Sequence, residues 1–318
     1  MHEIAPLLKS LSREVRAGRP AALCAIVKTR GSTPQVPGAC MLVRSDMQTE
    51  GTLGGGCVEV EVLRRAFTFL QQGRSAKMDF VLDHDFGWDD GLICGGRMDV
   101  AMVPVLDPKD LAPFESAAAD LEAHRTTQVP FRVEEEGKPV EYRLNIRPSP
   151  RLIIAGGGHV GLALAQLCGD LDFDITVIDD REKFSNSERF GPGVECLVGS
   201  IDETLRAQRL DPSAFVVIVT RGHHHDERAL SAVVQSEARY IGLIGSKRKI
   251  KLIRKDLLAE GVSEEQLDRV HAPIGLPIHA VTVKEIAVSI ASQLVQVRRA
   301  DDKDLVEGPI PVPNEASA

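Results

Sequence analysis

The run Leu152-Ile153-Ile154-Ala155-Gly156-Gly157-Gly158-His159-Val160-Gly161 constrains this chain more than any other segment. A short apolar strand runs directly into Gly156-x-Gly158-x-x-Gly161, and a helical pattern follows. A second strand, Ile175-Thr176-Val177-Ile178, then ends in Asp179-Asp180. This is the dinucleotide fingerprint with its strand, helix and acid in place. Gly156 suits the tight turn, Gly158 lets backbone approach a pyrophosphate, and Gly161 lets helix pack on strand. The helix N-terminus, with His159 as its first residue, presents unpaired amides to a phosphate. Asp179 stands where an acid would accept from a ribose diol.

The rest of the second half alternates strand and helix. Strands are predicted at 151–155, 174–179, 194–198, 214–220 and 239–244. Helices are predicted near 159–169, 226–237, 246–260 and 282–299. Such alternation predicts a Rossmann-like, doubly wound parallel sheet. Thr282 and Glu285 form a capping box at the start of the last helix. The first half lacks that alternation. A helix near 3–17, strands at 21–29 and 39–44, a helix near 57–71, strands at 76–82 and 98–105, a helix at 110–124 and a hairpin of 129–134 and 139–145 predict a mixed α/β domain. The boundary falls in Asn145-Ile146-Arg147-Pro148-Ser149-Pro150, where two prolines resist both helix and central strand. The domains expected are 1–147 and 148–300. The segment 301–318, acidic and then proline-rich, reads as a disordered tail.

At 318 residues there is room for two cores, and 43% hydrophobic with 26% charged residues marks a soluble globular chain. A net charge of −8 without a basic stripe argues against nucleic acid. No apolar run reaches membrane-spanning length, and no signal peptide is visible. Six cysteines with neither C-x-x-C nor zinc spacing read as free thiols in a cytoplasmic protein.

Two glycine–cysteine segments stand out in the first half. In Gly54-Gly55-Gly56-Cys57-Val58-Glu59 the thiol falls in a first helical turn, where the dipole favours thiolate. Cys94-Gly95-Gly96 repeats a thiol beside backbone that allows close approach. Tight turns with small buried cysteines account for the same pattern. Between them, Asp83-His84-Asp85 and Asp89-Asp90 offer metal ligands or a solvated acidic loop. In the second half, Thr220-Arg221-Gly222-His223-His224-His225-Asp226 is predicted to face the ligand crevice, with Asp226 alternatively capping the next helix. Ser246-Lys247-Arg248-Lys249 sets three basic side chains at a helix N-terminus, a conflict with the macrodipole that points to an anion. No catalytic constellation is visible: no Ser-His-Asp arrangement, no P-loop, no acid–base pair beside the crevice.

Taken in order, these segments resemble the XdhC/CoxI family of xanthine dehydrogenase accessory proteins. The likeness rests on Gly31-Ser32-Thr33-Pro34 with Pro37-Gly38-Ala39, Gly54 to Glu59, Cys94-Gly95-Gly96, the 156–161 fingerprint and Ile178-Asp179-Asp180-Arg181. It continues through Gly242 to Lys249, Ala272-Pro273-Ile274-Gly275-Leu276 and Glu285 to Ile290. Gln35, Pro277-Ile278-His279-Ala280 and the 220–226 loop depart from the family pattern.

The resemblance implies a chaperone that binds the molybdenum cofactor, as molybdopterin or its dinucleotide form. Such a chaperone protects the cofactor, assists its sulfuration with a cysteine desulfurase, and inserts it into an apo hydroxylase of the xanthine dehydrogenase type. It implies Cys57 and Cys94, beside Gly55, Gly56, Gly95 and Gly96, as soft ligands for molybdenum or its sulfur. Gly156, Gly158, His159, Gly161, Asp179, Ser246, Lys247 and Arg248 would surround the phosphate end. A homodimer is expected. The rival reading is an NAD(P)-dependent oxidoreductase, with Asp179 as its best residue.

Overall fold

The structure, a computed structural model, describes residues 4–82, 95–135, 137–300 and 305–312, with Cys57 seen in its backbone alone. It divides into two compact units, residues 1–148 with 303–318 and residues 149–302.

Unit 1 begins with α1 (Ile4–Arg16), whose Ile4, Leu7, Leu8, Leu11 and Val15 form one buried face at helical spacing. Then come β1 (Ala21–Arg30), β2 (Cys40–Arg44), β3 (Thr49–Gly51), α2 (Gly56–Gln72), β4 (Ala76–Val81), β5 (Arg97–Val105), α3 (Ala112–Glu122), β6 (Thr127–Glu135) and β7 (Lys138–Ile146). Residues 21–27 of β1 are buried on both faces, and β1 accordingly lies at the centre of an antiparallel sheet ordered β3-β2-β1-β5-β4. Alternation sorts its side chains. Leu23 and Ala25 join α1, α3 and the β6–β7 hairpin in one core, while Cys24 and Ile26 join Val58, Val62 and Ala66 of α2 in the other.

Unit 2 contains β8 (Arg151–Ala155), α4 (His159–Gly169), β9 (Asp174–Asp179), α5 (Ser187–Phe190), β10 (Val194–Val198), α6 (Ile201–Arg206), β11 (Ala214–Ile218), α7 (His223–Val233), β12 (Tyr240–Leu243), α8 (Lys247–Ala259), α9 (Glu264–Asp268), β13 (Val270–His271) and α10 (Val283–Arg299). All six strands are parallel, in the order β10-β9-β8-β11-β12-β13. Helices α4 and α10 cover one face, with Leu164 and Cys168 beside Ile290 and Leu294, and α6, α7 and α8 cover the other. Strand order reverses between β8 and β11, so the ligand crevice of such a sheet opens at their carboxyl ends. The capping box of Thr282 and Glu285 is present at the start of α10.

Besides the short β3, α5, α6, α9 and β13, which the sequence-based expectation lacks, two elements differ from it. The tail reads as disordered from its composition, yet β14 (Val306–Pro311) pairs antiparallel with β7, Val306 opposite Leu144. Prolines obscured it, but an edge strand tolerates them. Without β14 the free edge of β7 would stand unpaired, and Val306 packs against the first core of unit 1. The second difference is α7. It begins at His223 with Gly222 at its N-cap, so Asp226 lies inside the helix rather than capping it.

Candidate functional site

In unit 1 the motif segments converge. Arg30 at the end of β1 pairs with Arg97 at the start of β5, so the loops beyond them meet at one end of the sheet. Ser32 bridges to Gly95, and Gly96 lies so close that any side chain there would run into the Ser32 carbonyl oxygen. Gly54 backs onto Pro34, whose Cβ would lie 2.6 Å from an added side-chain carbon. Three stretches far apart in sequence, 31–34, 53–56 and 95–96, thus form one surface.

Glu59, in the first turn of α2, holds that surface in shape. Its Oε1 accepts from Thr52 Oγ1 at 2.5 Å, Leu53 N at 2.7 Å and Gly55 N at 2.8 Å. Burial alone would raise its pKa, but the hydrogen bonds from Thr52, Gly55 and Leu53 outweigh burial and lower it. The carboxylate is therefore ionised and organising. At Gly55, Gly56 and Gly95 an added Cβ would meet nothing within 4 Å, so these backbones face open space. Cys57 is the second residue of α2, but its thiol, like Cys94, Asp83-His84-Asp85 and Asp89-Asp90, lies outside the described residues.

Beside this surface is a groove of about 280 Å³ lined by Lys28, Arg30 and Arg97 with Asp79 and Asp99. Lys77 engages both aspartates, at 3.2 Å and 3.4 Å. Among the described residues, no carboxylate lies within ion-pair distance of Arg30 or Arg97. Arg30 and Arg97 thus set two like charges directly opposite across the strand pair, a disfavoured arrangement.

In unit 2 the fingerprint takes the expected form. Gly161 sits against the Gly156 carbonyl oxygen, leaving no room for a side chain, whereas a Cβ on Gly158 would meet nothing within 4 Å. Gly158 is the N-cap of α4, and His159 is exposed as its first residue.

Asp179 departs from expectation. It is buried, and it accepts from Gly157 N at 2.9 Å and from Arg181 through N at 3.1 Å, Nε at 2.8 Å and Nη2 at 3.0 Å. Burial would raise its pKa, and these donors, Arg181 foremost, lower it instead. Its neighbour Asp180 receives Arg221 Nη2 at 2.8 Å. Because β8 lies between β9 and β11, that ion pair joins the loops on either side of the glycine turn.

The basic turn also divides. Ser246 caps α8, accepting from Lys249 N at 3.3 Å, and Lys247 and Arg248 are exposed. Lys249 turns inward. Its Nζ donates to Ile244 O at 3.3 Å and ion-pairs with fully buried Asp226, which also accepts from Thr220 Oγ1 at 2.6 Å. Only two of the three cations therefore remain for an anion. The rings of His223 and His224 lie 3.8 Å apart, and no group of three or more His, Cys, Asp or Glu among the described residues is arranged to hold a metal ion. No helix among them is long and apolar enough to cross a membrane.

Sequence reasoning missed Pro34 as a packing partner, Arg181, and the organising role of Glu59. An acid in the first turn of a helix opened by glycines was the one available signal for the last of these.

Known proteins match the same segments. Residues 14–81 match the XdhC and CoxI family, and residues 152–294 match the XdhC Rossmann domain. YqeB of Escherichia coli (strain K12) is 31% identical over 280 residues; the match covers 88% of this chain, which spans 44% of that protein's length. A Bacillus subtilis (strain 168) protein named as a probable xanthine dehydrogenase subunit is 24% identical over 316 residues, covering 88% of this chain and 93% of the relative. The molybdenum cofactor insertion chaperone PaoD of E. coli (strain K12) is 21% identical over 308 residues, covering 94% and 90%. A crystal structure described as a xanthine dehydrogenase from Bacillus halodurans superposes with a TM-score of 0.78 at 25% identity, covering 94% of this chain and 97% of that one. With both family segments matched in order and a solved fold shared along nearly its whole length, this chain belongs to the XdhC and CoxI family.

Proposed function

We propose that this protein is a chaperone of the molybdenum cofactor, which binds the pterin cofactor as cargo, protects it, and inserts it into an apo hydroxylase of the xanthine dehydrogenase type. The observation that carries the reading is the convergence of 31–34, 53–56 and 95–96 into one surface with open glycine backbones. Glu59 fixes the loop that leads into α2. The groove edged by Arg30 and Arg97 suits an anionic group on the cargo. In unit 2, the amides at the start of α4, with Lys247 and Arg248 of α8, suit a phosphate.

The resemblance assigns Cys57 and Cys94 as soft thiol ligands for molybdenum or its terminal sulfur. On this reading a cysteine desulfurase supplies the sulfur while the chaperone holds the cofactor, and a homodimer acts in the cytoplasm. The names of two relatives, one an insertion chaperone and the other a probable part of a xanthine dehydrogenase, support the cargo and the client.

The test isolates the protein from cofactor-producing cells and assays released pterin, beside activation of a target hydroxylase by wild type and Cys57→Ala. Pterin on the wild type, with activation lost in the variant, is expected. Wild type free of pterin, together with full activation by Cys57→Ala, would sink the assignment.

A further inference from the structure

A dinucleotide of the NAD type bound in unit 2 needs an acceptor for its ribose diol at the end of β9, and the donor set there does not fit one. A carboxylate presents about four lone-pair positions. In Asp179 four N–H groups fill them: Gly157 N and Arg181 Nη2 on Oδ2, Arg181 N and Nε on Oδ1. Asp180 is no substitute, since Arg221 holds its Oδ2 at 2.8 Å and Arg181 Nε lies 3.5 Å from its Oδ1. Arg181 is itself held in place, its guanidinium carbon 3.8 Å from the centre of the Phe184 ring. Phe184 in turn lies against the glycine turn, its carbonyl oxygen where a side chain on residue 157 would be.

We propose that Arg181 is a specificity-determining residue, which makes the Rossmann crevice of unit 2 reject ligands that must be held by a nucleotide ribose diol, NAD(H) among them. Entry of such a ligand requires the guanidinium to leave a buried carboxylate. An ion pair with two parallel N–H···O bonds would be exchanged for two hydroxyl bonds to the same carboxylate, and the guanidinium would lose its counter-charge. The exchange runs against the ligand. The inference goes beyond the chaperone reading, because it concerns what the crevice refuses rather than what the protein carries.

The test titrates ADP and its 2′,3′-dideoxy analogue, by calorimetry, into full-length wild type, Arg181→Ala and Arg181→Lys. Wild type is expected to bind both alike or neither. Arg181→Ala is expected to prefer ADP at least tenfold, since lone pairs of Asp179 are then free for the diol. Arg181→Lys keeps a counter-charge on Asp179, and so the fold, but gives up the fork; a preference of about threefold is expected. If Arg181→Ala fails to fold, the lysine variant decides. A tenfold diol preference in the wild type overturns the proposal, as does the absence of any gain in the folded variants. The titration reads sugar preference alone, so its outcome is independent of whether pterin co-purifies.

Discussion

Lys249 of α8 turns its ammonium into unit 2 to pair with Asp226 of α7, a carboxylate with no exposed surface. Burial raises the Asp226 pKa, with Lys249 and Thr220 opposing that shift. The pair ties the helix after β11 to the helix after β12, beside the crevice. Replacing Lys249 by Met should cost about 3–5 kcal/mol, because it leaves a buried charge uncompensated. Pairing it with Asp226→Leu should recover most of the loss. Urea melts of the two single variants and the double variant check this, and strict additivity would contradict it.

Glu59→Ala removes the acceptor of three hydrogen bonds that shape the 52–55 loop. Each donor left unsatisfied costs on the order of 1–3 kcal/mol when buried. On the proposed function, Glu59→Gln keeps an acceptor oxygen and should retain most hydroxylase activation, whereas Glu59→Ala should lose it roughly tenfold or more, equivalent to about 1.4 kcal/mol. Activation assays on the two proteins, matched for thermal midpoint, separate these outcomes.

The glycines of the fingerprint should divide by experiment. Gly161→Ala forces a methyl into the Gly156 carbonyl and should destabilise unit 2 by several kcal/mol. Gly158→Ala meets nothing and should change stability by less than about 1 kcal/mol. If a phosphate seats there, the second variant should nonetheless weaken cargo retention. Chemical denaturation and pterin retention, measured side by side, give both readings.

Asp202 in α6 supplies the pH dependence. Burial would raise its pKa, but hydrogen bonds from Ser200, Arg206 and Arg228 bring it down to about 2. Its folded value lies below the unfolded one of about 3.9, so its contribution is present above pH 4 and lost as pH falls toward 2. Asp202→Asn should cost about 1–3 kcal/mol at pH 7 and only about 0.4 kcal/mol at pH 2, where the folded carboxyl is half protonated. Denaturation midpoints of both proteins across that range should converge on acidification.

Much of unit 2 was legible because buried parallel strands are short, apolar and bounded by glycine or acid. β8, α4, β9 and β10 fall where periodicity put them. The antiparallel order of unit 1 was not legible, since pairing between distant strands leaves no local mark. The site was legible at its glycines and opaque at their partners. Asp179 looked like a free acceptor because nothing in the sequence says that an arginine two residues on turns back to claim it. Lys249 looked like one of three surface cations because its partner, Asp226, lies one strand and one helix earlier. Composition hid β14, whose prolines suit an edge.

The pairing of β14 with β7 makes the Rossmann unit an insertion within unit 1 rather than an appendage to it. During synthesis β7 emerges long before its last partner. At about 5–20 residues per second, the intervening chain delays β14 by roughly 10–30 s. Unit 2 has its whole sequence available first, and unit 1 closes only as the final strand arrives. The surface built from 31–34, 53–56 and 95–96 therefore belongs to the unit that can pair β14 only after every strand of unit 2 has been made.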